Sequence, residues 1–377
     1  MSLRVVVVPD KFKGTLTAAA AAAAIARGWG RERPQDALEL LPMTDGGDGF
    51  GEVMSNLLKA QPQRIKTVNA AHRPCVATWW WNAQTRTAIV ESAQVIGLAR
   101  LPPGKFHPFD LDTFGVGKLF RAAQAKGAKQ ILIGVGGSAT NDGGFGLARA
   151  VGWQFLAADQ KPILQWTDLY RLVAIRPPSR RGFGRITVAL DVQNPLLGAR
   201  GATRVYGLQK GLRAEDFPHA EKCLRRLATV AHRHFGHHFA KRSGAGAAGG
   251  LGFGLMALLA AKPESGFELF ARHAKLDRHL QAPDLVITGE GAIDRSTLMG
   301  KGTGEIAQRC RVRKIPCLGL AGYLAPATRR NQLFHEVRAL TDLTTMPQAK
   351  ARPTEWLERL AELAARNFKT GRAMTSR

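Results

Sequence analysis

The sequence predicts an α/β protein: a doubly wound sheet domain with a second α/β domain inserted into it. Three observations carry this expectation. Short apolar runs alternate with longer amphipathic segments, the pattern of strands wrapped by helices. The 377 residues exceed one ordinary domain and suggest two. Glycine is enriched, with 41 residues, and it gathers in tight clusters beyond the apolar runs, where open α/β sheets bind ligands.

The elements follow in order. Residues 4–8 hold four consecutive valines bounded by Pro9 and read as a buried strand. Thr15 or Thr17 caps a helix running to about Arg27, with Gly28 as its stop. A short strand at 37–41 precedes a helix ending near Leu58. Between 64 and 91 the texture changes to three β runs, 64–68, 75–81 and 87–90, a meander belonging to a different sheet. A helix at 115–125, a buried strand at 130–135, a short helix at 146–151 and a strand at 186–190 come next. Helices at 220–232 and 254–261 lead to buried strands at 285–288 and 317–320, with a helix at 304–310 between them. An amphipathic helix at 355–368 closes the series. No linker of biased composition interrupts the chain, so the second domain is expected as an insertion, with 1–63 and 283–377 forming the first domain and 64–282 the second.

Composition narrows the function classes. Cys75, Cys223, Cys310 and Cys317 are widely spaced and form no C-x-x-C pair, which predicts reduced thiols in a cytoplasmic protein and no zinc site. The apolar part of the uncharged stretch 243–261 is far short of the ~20 residues a spanning helix needs. The alanine run 18–24 is too weakly apolar for a signal-peptide core. A net charge of +25 raises nucleic acid as a partner. Yet the basic residues are scattered, and the denser knots, Arg180-Arg181 and 311–314, lack interleaved aromatics. A basic surface on an enzyme of anionic small molecules is therefore expected, with neither nucleic acid nor membrane as partner. His232, His234, His237 and His238 cluster without a zinc spacing and read as a helix end.

The glycine-rich and acid-rich loops carry the chemistry. Glycine lets backbone N–H groups close on phosphate oxygens, and a helix start adds favourable partial charge. Asp10-Lys11-Phe12-Lys13-Gly14 follows the first strand and supplies a carboxylate and two ammonium groups. Asp45-Gly46-Gly47-Asp48-Gly49 offers two carboxylates to a Mg²⁺ ion, which prefers one or two carboxylates plus waters and phosphates. The loop 134–144 reads GVGGSATNDGG and offers Gly136, Gly137, Ser138, Thr140, Asn141 and Asp142. Its first six residues also fit a dinucleotide fingerprint, with Asp159 about 20 residues on as the ribose acid. Against that alternative, Asn141-Asp142-Gly143-Gly144 breaks the helix the fingerprint requires. Asp191, with Asn194-Pro195 close behind, follows the strand 186–190 and suits a catalytic carboxylate or a helix cap. Lys210 in the stretch 206–211, Tyr-Gly-Leu-Gln-Lys-Gly, adds another ammonium, as suited to a ligand contact as to a solvated turn. Glu290 and Asp294 lie after the strand 285–287 as metal or base groups, with Lys301 beyond them as a phosphate contact. No Walker A motif or protein-kinase set is present. Several acidic and lysine-bearing glycine loops suit a phosphate-bearing ligand and a divalent metal, and phosphoryl transfer fits them best.

At these residues the chain resembles the bacterial two-domain glycerate kinase family, which is unrelated to P-loop kinases. The likeness runs through PDKFKGT at 9–15, PMTDGGDG at 42–49, ESAQVIGL at 91–98, GVGGSATNDGGFG at 134–146, DVQNPLLG at 191–198, YGLQKG at 206–211, AGAAGGLGFG at 245–254 and TGEGAIDRSTLMGK at 288–301. The chain departs from the family at Asp48-Gly49-Phe50, where Glu-Gly-Thr is usual, at Leu208 for Pro, at Ser296 for Gln, and in its basicity. The resemblance implies ATP- and Mg²⁺-dependent phosphorylation of D-glycerate, with 2-phosphoglycerate as product and the site in the cleft between two α/β domains. On this reading Lys11 and Lys13 hold the glycerate carboxylate or the transferring phosphoryl, with Asp10 beside them. The 136–142 loop, Asn194, Lys210 and Lys301 contact substrate or phosphate. Asp191 is the expected proton acceptor, with Asp142 as its competitor, and Glu290, Asp294 and Asp45 are the expected Mg²⁺ ligands.

Overall fold

A computed structural model describes residues 2–179, 182–298, 302–329 and 332–368. Lys301 and the Arg180-Arg181 knot lie outside the described residues. The α/β class holds. In chain order the strands are β1 (Arg4–Pro9), β2 (Ala37–Leu40), β3 (Gln61–Val68), β4 (Pro74–Asn82), β5 (Thr87–Glu91), β6 (Gln130–Gly134) and β7 (Gln154–Leu156). They continue with β8 (Ala174–Arg176), β9 (Arg185–Leu190), β10 (Lys262–Ser265), β11 (Leu285–Ile293), β12 (Cys317–Leu324) and β13 (Glu336–Ala339).

The chain forms two compact units, Met1–Asp45 with Phe270–Arg377, and Gly46–Leu269. The first holds a five-stranded parallel sheet in the order β13-β12-β11-β1-β2. Its core joins Val5 and Val7, Leu285 and Ile287, and Leu318 and Leu320 to the helices Ala18–Glu32 and Pro353–Asn367. Thr17 is the cap of the first helix, its Oγ1 accepting from the Ala20 N–H at 3.2 Å. That helix runs on past Gly28, where a stop was expected. A Cβ at Gly28 would lie 2.1 Å from the Glu358 carbonyl oxygen, so this glycine serves the close approach of two helices.

The second unit holds a six-stranded sheet, β10-β9-β6-β5-β4-β3. From β10 to β5 the strands are parallel, and β5, β4 and β3 run antiparallel as the expected meander. The helix Phe50–Leu57, which the sequence reading placed in the first domain, packs here: Phe50 and Met54 share a buried cluster with Ile89, Leu132 and Ala189. The hairpin β7-β8 was not foreseen. Nor was the helix Ala202–Lys210, whose last turns were read as a loop because Gly207 and Gly211 suggested one. Gly211 instead stops that helix in a left-handed conformation, φ 100°.

Candidate active site

Parallel pairing sets the carboxyl ends of neighbouring strands side by side, so residues distant in sequence become neighbours. In the first unit Pro9 of β1 pairs with Gly289 of β11, which places Asp10 next to Glu290. Here β11 runs on to Ile293, five residues past the expected strand end at Thr288, and Glu290 is a strand residue. Gly291 permits it, since a Cβ there would lie 3.0 Å from the Lys13 backbone nitrogen. Lys11 reaches two carboxylates, Asp45 Oδ1 at 3.4 Å and Asp10 Oδ1 at 3.7 Å. The Lys13 side chain is exposed. Burial pushes the Glu290 carboxyl up to about 8, and the charges of Asp10 and Asp45 add to the rise, while a hydrogen bond from Thr297 opposes it. The Thr297 hydroxyl donates to Glu290 Oε1 at 2.8 Å and accepts from the Asp294 N–H at 3.3 Å. Asp294 Oδ1 accepts from the Ser296 N–H and hydroxyl at 2.7 and 2.6 Å. Among the described residues no three His, Cys, Asp or Glu side chains form a ready-made metal cage. A charge-frustrated carboxyl beside two more carboxylates does fit Mg²⁺, which takes few protein ligands and completes its shell with water and phosphate.

In the second unit Glu91 of β5 pairs with Gly134 of β6, and Gly134 with Ala189 of β9. Glu91, the loop after Gly134, and Asp191 therefore share one end of the sheet. That loop opens outward at Gly136 and Gly137 and is buried from Ser138 to Asp142. Lys210, read as an even choice between a ligand contact and a solvated turn lysine, is buried: its Nζ donates to the Thr140 carbonyl at 2.7 Å and to Ser138 Oγ at 3.1 Å. Burial lowers its ammonium to about 7, against the favourable charge of Asp142. Asn141 Nδ2 donates to Thr203 Oγ1 at 3.0 Å, and Asn141 Oδ1 and Thr140 Oγ1 are buried without a hydrogen-bond partner among the described residues. The helix Ala202–Lys210 thus delivers Thr203 and Lys210 to the glycine loop.

Asp142 is fully buried. Its Oδ2 accepts from the Gly146 N–H at 2.9 Å and its Oδ1 from the Gly144 N–H at 3.2 Å, so it caps the helix Phe145–Ala150. Burial, and then the charge of Asp112, raise its carboxyl to about 6 despite these donors. Asp191 is half-buried at the end of β9, and its charge raises the Tyr206 phenol after burial has done the same. Asn194 ties its loop to the helix Ala202–Lys210: Oδ1 accepts from Tyr206 at 2.7 Å and Nδ2 donates to the Arg200 carbonyl at 2.8 Å.

The dinucleotide alternative fails here. The helix after the fingerprint begins only at Phe145, and Asp159 sits on an exposed turn bonded to Lys161. Sequence reasoning missed Glu91, Thr113, Thr203 and Thr297 as structural partners of these loops. Glu91 and Thr297 carried a signal as members of the shared motifs 91–98 and 288–301, and Thr113 and Thr203 only as neighbours of glycines in sequence.

Carboxylates beside ammonium groups at the sheet end of one unit, and a buried lysine under a glycine loop in the other, are the chemistry of an α/β enzyme suited to anionic ligands. A sequence profile described as the glycerate kinase family matches residues 5–369. The chain is 34% identical to a protein named glycerate kinase from Halalkalibacterium halodurans, over 97% of both chains. It is 34% identical to glycerate kinase of Bacillus subtilis, over 99% of both. Against a protein named glycerate 2-kinase from Escherichia coli identity is 33%, over 85% of this chain and 86% of that one. The crystal structure of a putative glycerate kinase 2 from Salmonella typhimurium LT2 superposes with a TM-score of 0.81 at 31% identity, covering 97% of this chain and 98% of the other. The chain belongs to the glycerate kinase family and is an enzyme of that type. No described helix is long and apolar enough to cross a membrane.

Proposed function

We propose that the protein transfers the γ-phosphoryl group of ATP to the 2-hydroxyl of D-glycerate, giving 2-phosphoglycerate and ADP. The observation that carries this reading is the near full-length likeness to proteins named glycerate kinase; the Escherichia coli relative, named a 2-kinase, favours the 2-hydroxyl.

The residues support distinct roles. Asp191, a half-buried carboxylate after β9, accepts the proton as the hydroxyl oxygen attacks phosphorus and the bond to ADP breaks. Lys210 under the loop 136–142 donates to phosphate oxygens, whose charge favours its ammonium form, and the N–H groups of half-buried Gly136 and exposed Gly137 add hydrogen bonds. Lys11 and Lys13 bind the substrate carboxylate or the moving phosphoryl, with Asp10 orienting Lys11. Asp45, Glu290 and Asp294 are the candidate Mg²⁺ ligands, and the ion would offset charge on the polyphosphate. Asp142 is the scaffold of the loop rather than its base. Incubation with D-glycerate and MgATP, followed by identification of the phosphoglycerate isomer, tests the reading. ATP loss indifferent to glycerate but dependent on another hydroxy acid or a sugar would overturn it.

A further inference from the structure

The segment that follows β5, Glu91 to Leu98, takes no part in the reaction as proposed, yet it holds two loops of the second unit at once. On one side both Glu91 carboxylate oxygens accept backbone N–H groups, Oε1 from Gly49 at 3.1 Å and Oε2 from Gly51 at 2.9 Å. These are donors at the start of the helix Phe50–Leu57, whose cap position is Gly49, φ 86°, with no side chain to satisfy them. A buried carboxylate from another element takes over the capping. On the other side Leu98 N–H donates to the Gly137 carbonyl at 2.8 Å and Ala139 N–H to the Ile96 carbonyl at 2.8 Å.

The two loops held this way lie directly on each other. A Cβ at Gly134 would meet the Phe50 ring at 2.6 Å, one at Gly136 would meet Gly47 Cα at 2.5 Å, and one at Gly137 would meet Asp48 Oδ1 at 2.0 Å. Three glycines therefore leave room for 47–50 to lie along 134–137, and the Asp48 carboxylate comes to rest on the Gly137 backbone. Asp48 is half-buried and has no hydrogen bond or ion pair among the described residues. It stands beside the outward-opening part of the loop, next to Ser138, whose hydroxyl accepts from Lys210 on the buried side. A carboxylate there repels phosphate and accepts from hydroxyl groups, so it marks the uncharged end of a ligand whose anionic end faces Lys210.

We infer that Asp48 is a ligand-contacting carboxylate that accepts a substrate hydroxyl, and that Glu91 is the positioning residue that sets it against Gly137. The inference rests on the proposed phosphorylation of glycerate. Steady-state kinetics of Asp48→Asn, Glu91→Gln and the double variant test it, with melting temperature and Mg²⁺ titration measured alongside. Asp48→Asn lowers kcat/KM for glycerate or for ATP by about 10²-fold, the scale of a misplaced contact, and leaves melting and the Mg²⁺ requirement unchanged. Glu91→Gln lowers the same parameter and also the melting temperature. The double variant is no slower than the worse single one, because both remove the same contact. Wild-type kinetics in Asp48→Asn for both substrates overturn the inference. So does a raised Mg²⁺ requirement, which would make Asp48 a metal ligand, and so do strictly additive losses, which would leave Glu91 a stability residue only. Wild-type turnover tests the reaction itself: should another acceptor be used, the ratios of variant to wild type with that acceptor still decide the roles of Asp48 and Glu91.

Discussion

Thr113 donates twice to one oxygen of Asp142, through its backbone N–H at 3.0 Å and its hydroxyl at 2.7 Å. The same hydroxyl accepts from the Leu147 N–H at 2.8 Å, so the pair closes the start of a helix. A carboxylate so surrounded by donors has little capacity left to take a proton from substrate. Asp142→Asn turns an acceptor into a donor facing donors and costs about 1–3 kcal/mol of stability. Asp191→Asn instead lowers kcat by ~10²–10⁴-fold with little change in melting. Measuring kcat and melting temperature for both variants decides the roles. Normal turnover in the Asp191 variant with collapse of turnover in a well-folded Asp142 variant reverses the assignment.

Lys210 gives a stability signature in pH. Its folded value, about 7, lies below the 10.5 of an ordinary lysine. Between those values the unfolded chain holds a proton that the folded one lacks, so stability rises with pH across that window; below about 7 the cost of the buried ammonium is fully present. Lys210→Met removes the titrating group. Denaturation midpoints of wild type relative to this variant therefore climb from pH 7 toward pH 10.5. A difference that stays flat across the window shows that the amine remains protonated in the folded state.

The metal assignment rests on carboxylates of the first unit. Asp294→Asn, read by titrating Mg²⁺ into the ATP-consuming reaction, raises the half-saturating Mg²⁺ concentration if Asp294 ligates the ion. Since Asp294 Oδ1 also caps Ser296, a small loss of melting temperature accompanies it. An unchanged titration removes Asp294 from the metal role and leaves Glu290 and Asp45.

Gly28→Ala tests a fold contact. Its new methyl would press on the Glu358 backbone, which cannot yield as a flexible side chain does. The variant loses about 1–3 kcal/mol, seen as a lower denaturation midpoint. Gly30→Ala in the same helix, with open space around it, serves as control and is stabilised by its better helix propensity. Equal behaviour of the two variants contradicts close packing at Gly28.

Local pattern in the sequence determined most element types, though not the β7-β8 hairpin or the helix Ala202–Lys210. The valines of β1, the alternating β3-β4-β5 meander and the Thr17 cap are short-range signals, set by periodicity and by one side chain satisfying one N–H. Which loops gather the glycines and carboxylates of the candidate site was also legible, because they lie directly after apolar runs. Tertiary structure decided what each residue in those loops does. Nothing local distinguishes Asp142, spent on Thr113 and Gly146, from Asp191; the difference lies in donors brought in by elements up to 29 residues away. Lys210 became a buried amine with a lowered pKa only because its helix packs under the glycine loop. Gly28 passed for a helix stop until the Glu358 backbone lay against it. Burial and long-range hydrogen bonding fix the charge and availability of a side chain, and both depend on neighbours that the order of residues does not name.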